Sequence, residues 1–301
     1  MTAVLFAVST MQLLINILIA AALYWQIAAS YALAYYPSRL FQLTHAIVLT
    51  SAAYFAYSFF SVLHFPLWVA ILLAIACSTV VGVLPEILLY SYCRKRELST
   101  STTMIASLGL YTVLQSILIL IWGNETKTLY PGSMINEAHT FLGAYITDAQ
   151  IIILATATFM VLGFVLLMNR TAIGRRTRAL SSNPELSIVC GINGERVIRT
   201  SYLIGSAMAA LTGILIAFEI NITPSMGFHW LLYGITAMII GGVGSISGLA
   251  WGALLIAALQ HTVAYFLGSQ WMELVTFVVL IVFLLIKPLG FSGKRIKKIE
   301  I

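Results

Sequence analysis

Charge is what this sequence has least of. Only 9% of its 301 residues are Asp, Glu, Lys or Arg, and 60% are hydrophobic. A soluble globular domain carries roughly 25% charged residues. A water-soluble fold is therefore excluded, and a polytopic membrane protein is indicated. Cysteine is also scarce. Cys77, Cys93 and Cys190 form no spaced pair, so neither a disulfide framework nor a zinc site is suggested, and they read as small apolar fillers. No Lys or Arg precedes Arg39. The N-terminus thus lacks the positive start of a cleavable signal peptide and reads as a retained first span. The net charge of +6 comes with no soluble basic domain and no aromatic-basic groove, so it reflects membrane topology rather than nucleic-acid binding.

Catalytic spacings are missing too. There is no GxxxxGK[ST] phosphate cradle, no GxSxG with a partner histidine, no paired-aspartate site and no HExxH. His45, His64, His139, His229 and His261 do not fall at metal-ligand spacings, so no metal site is expected. Glu86, Glu219 and Glu273 are the acids nearest to apolar segments. Glu86 lies beside Pro85 and within reach of Arg94 or Arg96, whereas Glu219 and Glu273 fall at the outer interface. None is placed for a proton relay. An intramembrane enzyme and an ion-driven secondary carrier are thereby disfavoured, and a permease powered from elsewhere is favoured.

What is present is apolar length. Seven blocks of spanning length occur at about 11–34, 42–62, 67–92, 102–122, 149–168, 201–220 and 271–286. Pro85 should kink the third. Two further blocks, about 229–243 and 249–267, flank a run of glycines, and each reads as a short span or as a re-entrant half-helix. The expected architecture is an all-α bundle of about eight or nine spans in a single transmembrane domain covering 1–301. With the 169–200 loop placed inside, all of the 16 basic residues except Lys127 fall on one side. The positive-inside rule then puts the N-terminus outside and the C-terminus in the cytoplasm.

The 169–200 loop is the one long polar stretch, and it carries six arginines. At its centre lies the signature of a short helix. Asn183 can cap it, Pro184 fits the first helical position, and Glu185 faces the positive end of the helix dipole. Leu186 and Val189, three residues apart, share an apolar face, and Gly191 suits a left-handed stop. Such a helix can dock into another protein, fold back on its own chain or lie on lipid headgroups. Among polar side chains in the spans, Gln12 and Asn16 share a face, and Gln42, Thr44, Gln115 and Asn221 could touch a small solute. Hydrogen bonding between helices is the plainer use of each. The run Gly241-Gly242-Val243-Gly244-Ser245 can serve close helix packing or line a path through a broken helix.

From Gly174 onward the order of motifs resembles the permease subunits of bacterial branched-chain amino acid ABC importers and their urea and amide relatives. The matching pieces are Asn183-Pro184-Glu185-Leu186, Gly191-Ile192-Asn193, Arg196-Val197, Pro224-Ser225-Met226-Gly227 and Gly241-Gly242-Val243-Gly244-Ser245-Ile246-Ser247-Gly248. In the N-terminal half only His45 survives of a family stretch like Asn-Phe-Ala-His-Gly. The resemblance implies a membrane-spanning subunit that binds no cofactor itself, with ATP and Mg²⁺ used by two separate ATPase subunits. It also implies a second permease chain, usually a different one, and an extracytoplasmic solute-binding protein, all assembled at the bacterial inner membrane. Asn183, Pro184, Glu185, Leu186, Val189, Gly191, Ile192 and Asn193 would form the element that couples to the ATPase. Asn16, Thr44, His45, Gly241, Gly242, Gly244 and Ser245 are candidates for the translocation path. The solute expected is a branched-chain amino acid, urea, a short amide or a similar small polar molecule.

Overall fold

The computed structural model describes residues 2–129, 137–141, 144–242, 244–287 and 290–291. The basic tail from Lys294 and the residues Val243 and Pro288 lie outside that set. In chain order the helices are α1 (Thr2–Ser38), α2 (His45–Tyr57), α3 (Leu67–Pro85), α4 (Ser91–Lys95), α5 (Thr100–Trp122), α6 (Asp148–Arg170), α7 (Ala172–Ser182), α8 (Pro184–Val189), α9 (Gly194–Glu219), α10 (Met226–Gly241), α11 (Ile246–Leu267) and α12 (Met272–Ile286). Among the described residues, eight helical stretches are long and apolar enough to cross a membrane. α10, with 16 residues, is shorter. At 1.5 Å per residue it reaches about 24 Å, less than the roughly 30 Å of a hydrocarbon core. Of the two blocks beside the glycines, the second is thus a full-length helix and the first is not.

Pro85 acts as expected of a residue that lacks an N–H and whose ring crowds the preceding turn. α3 does not simply bend there. It passes through a π-helical turn, Glu86–Tyr90, before continuing as α4. The polar loop after α5 contains a two-stranded antiparallel sheet that its sequence does not signal. β1 (Ala138–Phe141) pairs with β2 (Ala144–Thr147), with Ala138 opposite Thr147. Asp148, the first residue of α6, accepts from the Glu137 amide at 3.2 Å and sits 2.9 Å from His139 Nε2. Its charge also suits a helix N-terminus.

The chain divides into two compact units. One comprises Met1–Ala29, Pro131–Val161 and Tyr233–Ile301, and the other Ser30–Tyr130 and Leu162–Leu232. In the second unit α2 is the core. From His45 to Tyr54 every residue is buried, as befits a helix packed on all sides. Its neighbours reach it through small residues. A Cβ on Gly213 of α9 would strike the Leu49 backbone, and one on Gly227 of α10 would strike the Ala46 carbonyl oxygen. Gly82 of α3 lies against both Val48 and Ser206. The Gly227 amide also donates to Thr50 Oγ1 at 3.1 Å. Lipid tails are as apolar as the side chains, so association here depends on dispersion at short range and on hydrogen bonds, and both require close backbones. The outward faces of α3, α5 and α6 carry exposed Trp68, Leu72, Ile105, Leu120 and Phe159, which suit contact with lipid.

In the first unit Gly242 and Gly244 lie between α10 and α11, both with positive φ. Gly241 and Gly248 pack backbone to backbone, and Gly252 lies against the Ala237 carbonyl. Ser245 Oγ caps α11 by accepting from the Gly248 amide at 3.1 Å. Tyr24 donates to Gln260, which donates on to Thr276, so α1, α11 and α12 are joined by buried polar groups.

These contacts set the cost of a single methyl group. Gly213→Ala should lower the thermal unfolding midpoint in detergent by several degrees, because overpacking a tight helix contact costs about 1–3 kcal/mol. Gly109→Ala, at a position with open space around the new Cβ, should leave the midpoint unchanged or raise it slightly. Thermal melts of the two variants beside the native chain check both.

Candidate functional site

The loop helix α8 is built as a rigid part. Asn183 Oδ1 accepts from the Leu186 amide at 3.0 Å, and Pro184 occupies the first turn. At the other end the Gly191 amide bonds the Ile188 carbonyl at 2.9 Å, and the Ile192 amide bonds the Ser187 carbonyl at 3.0 Å. Gly191 has φ +79°. This is the Schellman closure, which needs a left-handed residue at that place. Asn193 follows at once and caps α9 by accepting from the Arg196 amide at 3.0 Å. Six residues alone would not hold a helix in water; here both ends are fixed.

α8 is seated on one side and bare on the other. Ser187 is 5% exposed, whereas Leu186, Ile188 and Val189 are 59%, 65% and 83% exposed. Ile192 packs against a cluster of Ala34, Tyr90, Leu180, Val197, Ile198 and Tyr202. Cys190, expected to be a filler, is exposed just past the helix end, because the Schellman turn points it away from this seat; Cys93 is buried as expected.

The preceding helix α7 supplies much of the support. Thr171 Oγ1 caps it at the Gly174 amide, 3.1 Å away. Gly174 lies against the backbone of Leu167 and Met168. Arg39, in a left-handed conformation (φ +51°) at the end of α1, donates to the Ser181 carbonyl near the end of α7. Charged pairs brace the same region. Buried Glu86 receives both terminal nitrogens of Arg94, one at 3.1 Å. Glu195 lies between Arg199 at 3.4 Å and Lys95 at 3.7 Å. The sequence left Arg94 and Arg96 as alternative partners of Glu86; Arg94 takes the role, and Arg96 instead lies over the Tyr92 ring.

The candidate path residues fall into separate groups. In the second unit, Thr44 and His45 are buried in a polar network. Thr44 Oγ1 is 2.7 Å from the Tyr90 hydroxyl, which donates to Ser107 Oγ at 2.8 Å. Ser107 Oγ accepts from the Leu43 amide at 2.6 Å, and His45 Nε2 is 3.2 Å from Ser30 Oγ. In the first unit, Asn16 accepts from Gln12 at 3.1 Å, and Gln12 in turn clamps both backbone groups of Tyr145. Gly241, Gly242, Gly244 and Ser245 shape the α10–α11 turn. Sequence reasoning missed α7, the Arg39 tie and the Tyr90–Ser107 bridge. The Thr171 cap three residues before Gly174 was a usable signal for α7; the other two join residues far apart in the chain.

A sequence profile for the family described as "Branched-chain amino acid transport system / permease component" matches residues 13–285. The chain belongs to this family. BraD of Pseudomonas aeruginosa, a high-affinity branched-chain amino acid transport system permease protein, is 30% identical over 195 residues, 64% of each chain. The matched stretch is thus just under two thirds of that relative's length. The xylose transport system permease protein XylH of Escherichia coli is 33% identical over 127 residues, 40% of this chain and 31% of its own. Among solved structures, PsaBC from Streptococcus pneumoniae in complex with Fab has a similar fold. The TM-score is 0.54 at 13% identity, covering 96% of this chain and 97% of that one. The permease family and the helical architecture agree with what the motifs from Gly174 onward implied.

The bracing of the α8 seat can be tested through its buried ion pair. Arg94→Met leaves Glu86 buried without its partner and should destabilise the permease by about 3–5 kcal/mol. Glu86→Gln with Arg94→Met removes both charges and should recover most of that loss. Equilibrium unfolding of the single and double variants in detergent decides this.

Proposed function

We propose that this chain is the membrane-spanning permease subunit of an ABC importer for branched-chain amino acids or a similar small polar solute. It works beside a second permease chain, two ATPase subunits that use ATP and Mg²⁺, and an extracytoplasmic solute-binding protein. One observation carries this reading: three exposed apolar side chains stand on a doubly capped helix in a polar loop. Apolar side chains on such a loop call for a protein groove. Closure of the ATPase dimer would move α8, and its seat would pass that motion to the spans. The bias of basic residues supports an inner-membrane topology with this loop in the cytoplasm; the C-terminus lies there too if the short helix α10 crosses as a ninth span. The names of BraD and its LivH relatives support the solute class. A binding assay on the solute-binding protein, with leucine and xylose as ligands, separates that class from the one XylH is named for.

Val189→Asp should reduce co-purification of the ATPase subunits by about a hundredfold or more, since a carboxylate would be buried where an apolar contact was lost. Membrane insertion of the variant should be normal. Pull-down of the ATPase from detergent extracts reads the result, and an undiminished yield overturns the coupling role. The side of the membrane has its own test in the exposed thiol of Cys190. A membrane-impermeant maleimide should leave it unlabelled in intact cells and label it in inverted vesicles.

A further inference from the structure

Most of the arginines around the loop are engaged within the chain. Arg94 holds Glu86, Arg199 meets Glu195, Arg178 reaches Asn169, and Arg39 reaches Ser181. The guanidinium groups of Arg176 and Arg196 make no hydrogen bond or ion pair among the described residues. Both line a single cavity of about 220 Å³, together with Ile173, Ile192, Asn193 and Thr200. No carboxylate among the described residues lines it, and the nearby Glu195 is already shared by Lys95 and Arg199. Two cations in one cavity repel each other, and their planar forks match the oxygens of a phosphate. The wall is mixed, with Ile173 and Ile192 on it as well, so it suits an amphiphile better than a bare ion. Depth agrees with this. Along α9, Arg196 lies only about 7–8 Å before Ser201, where the apolar block starts, so the cavity falls in the headgroup layer.

We propose that this cavity binds the phosphodiester headgroup of an anionic phospholipid, bridging α7 to the start of α9. A lipid held there props the turn Gly191–Asn193 on which α8 ends. The site needs neither a particular solute nor an ATPase partner, so its test is independent of the transport reading.

The experiment places the purified chain in nanodiscs of phosphatidylcholine mixed with phosphatidylglycerol and follows retained lipid by native mass spectrometry. The native chain should retain phosphatidylglycerol in preference to phosphatidylcholine. Arg176→Gln with Arg196→Gln should lower that retention about tenfold. Arg170→Gln with Arg175→Gln removes the same charge outside the cavity and should leave retention unchanged. Equal losses in the two double variants overturn the proposal, because the attraction would then belong to the loop as a whole. Displacement of the lipid by inorganic phosphate also overturns it, since the site would then serve a free anion. If the cavity variant does not survive purification, Arg196→Gln alone, at an exposed side chain, is read against the same two outcomes.

Discussion

The structure depends on how closely helices can approach α2. In lipid there is no water to expel from between two apolar helices, so what holds them is short-range contact. Gly213 against the Leu49 backbone and Gly227 against the Ala46 carbonyl bring main chains together. Alanines at 46, 52, 53 and 56 keep α2 narrow where α3 and α9 meet it. A larger side chain at any of these points would separate the helices, and the attraction falls steeply with distance. The same closeness brings polar side chains of different helices within hydrogen-bonding range.

Those polar groups fix the turn between α1 and α2, Arg39 to Thr44. The Gln42 amide donates to the Tyr31 hydroxyl at 3.1 Å, the Leu43 amide to Ser107, and Thr44 meets Tyr90. An unsatisfied main-chain group in this setting would cost several kcal/mol, and these bonds pair the Gln42 and Leu43 amides. The turn is also tied through Arg39 to Ser181 of α7, two residues before the cap of α8. Within this unit a line of packed and hydrogen-bonded contacts therefore runs from the exposed loop helix to the buried core helix. The ion pairs Glu86–Arg94 and Glu195–Lys95 brace the ends of the helices beside that line.

The loop shows two kinds of unfilled surface, and they differ in chemistry. α8 offers Leu186, Ile188 and Val189, which suit an apolar groove. The cavity behind the turn that follows it offers two guanidiniums, which suit an anion. Their adjacency means that whatever occupies one bears on the stiffness of the other, because Gly191, Ile192 and Asn193 belong to both.

The sequence by itself determined what local chemistry and solvent dictate. The apolar blocks, the cap at Asn183, the stop at Gly191 and the family motifs were all legible, because each rests on residues adjacent in the chain or on transfer to lipid. Pro85 announced a disturbance in its helix, but not the π-helical turn it takes. Only the tertiary structure decided which acid meets which base, that Gln12 clamps Tyr145, and that β1 and β2 pair. It also decided which side of α8 is seated and that Arg176 and Arg196 share one cavity. Those outcomes depend on distances between residues far apart in sequence, and the helix packing sets those distances.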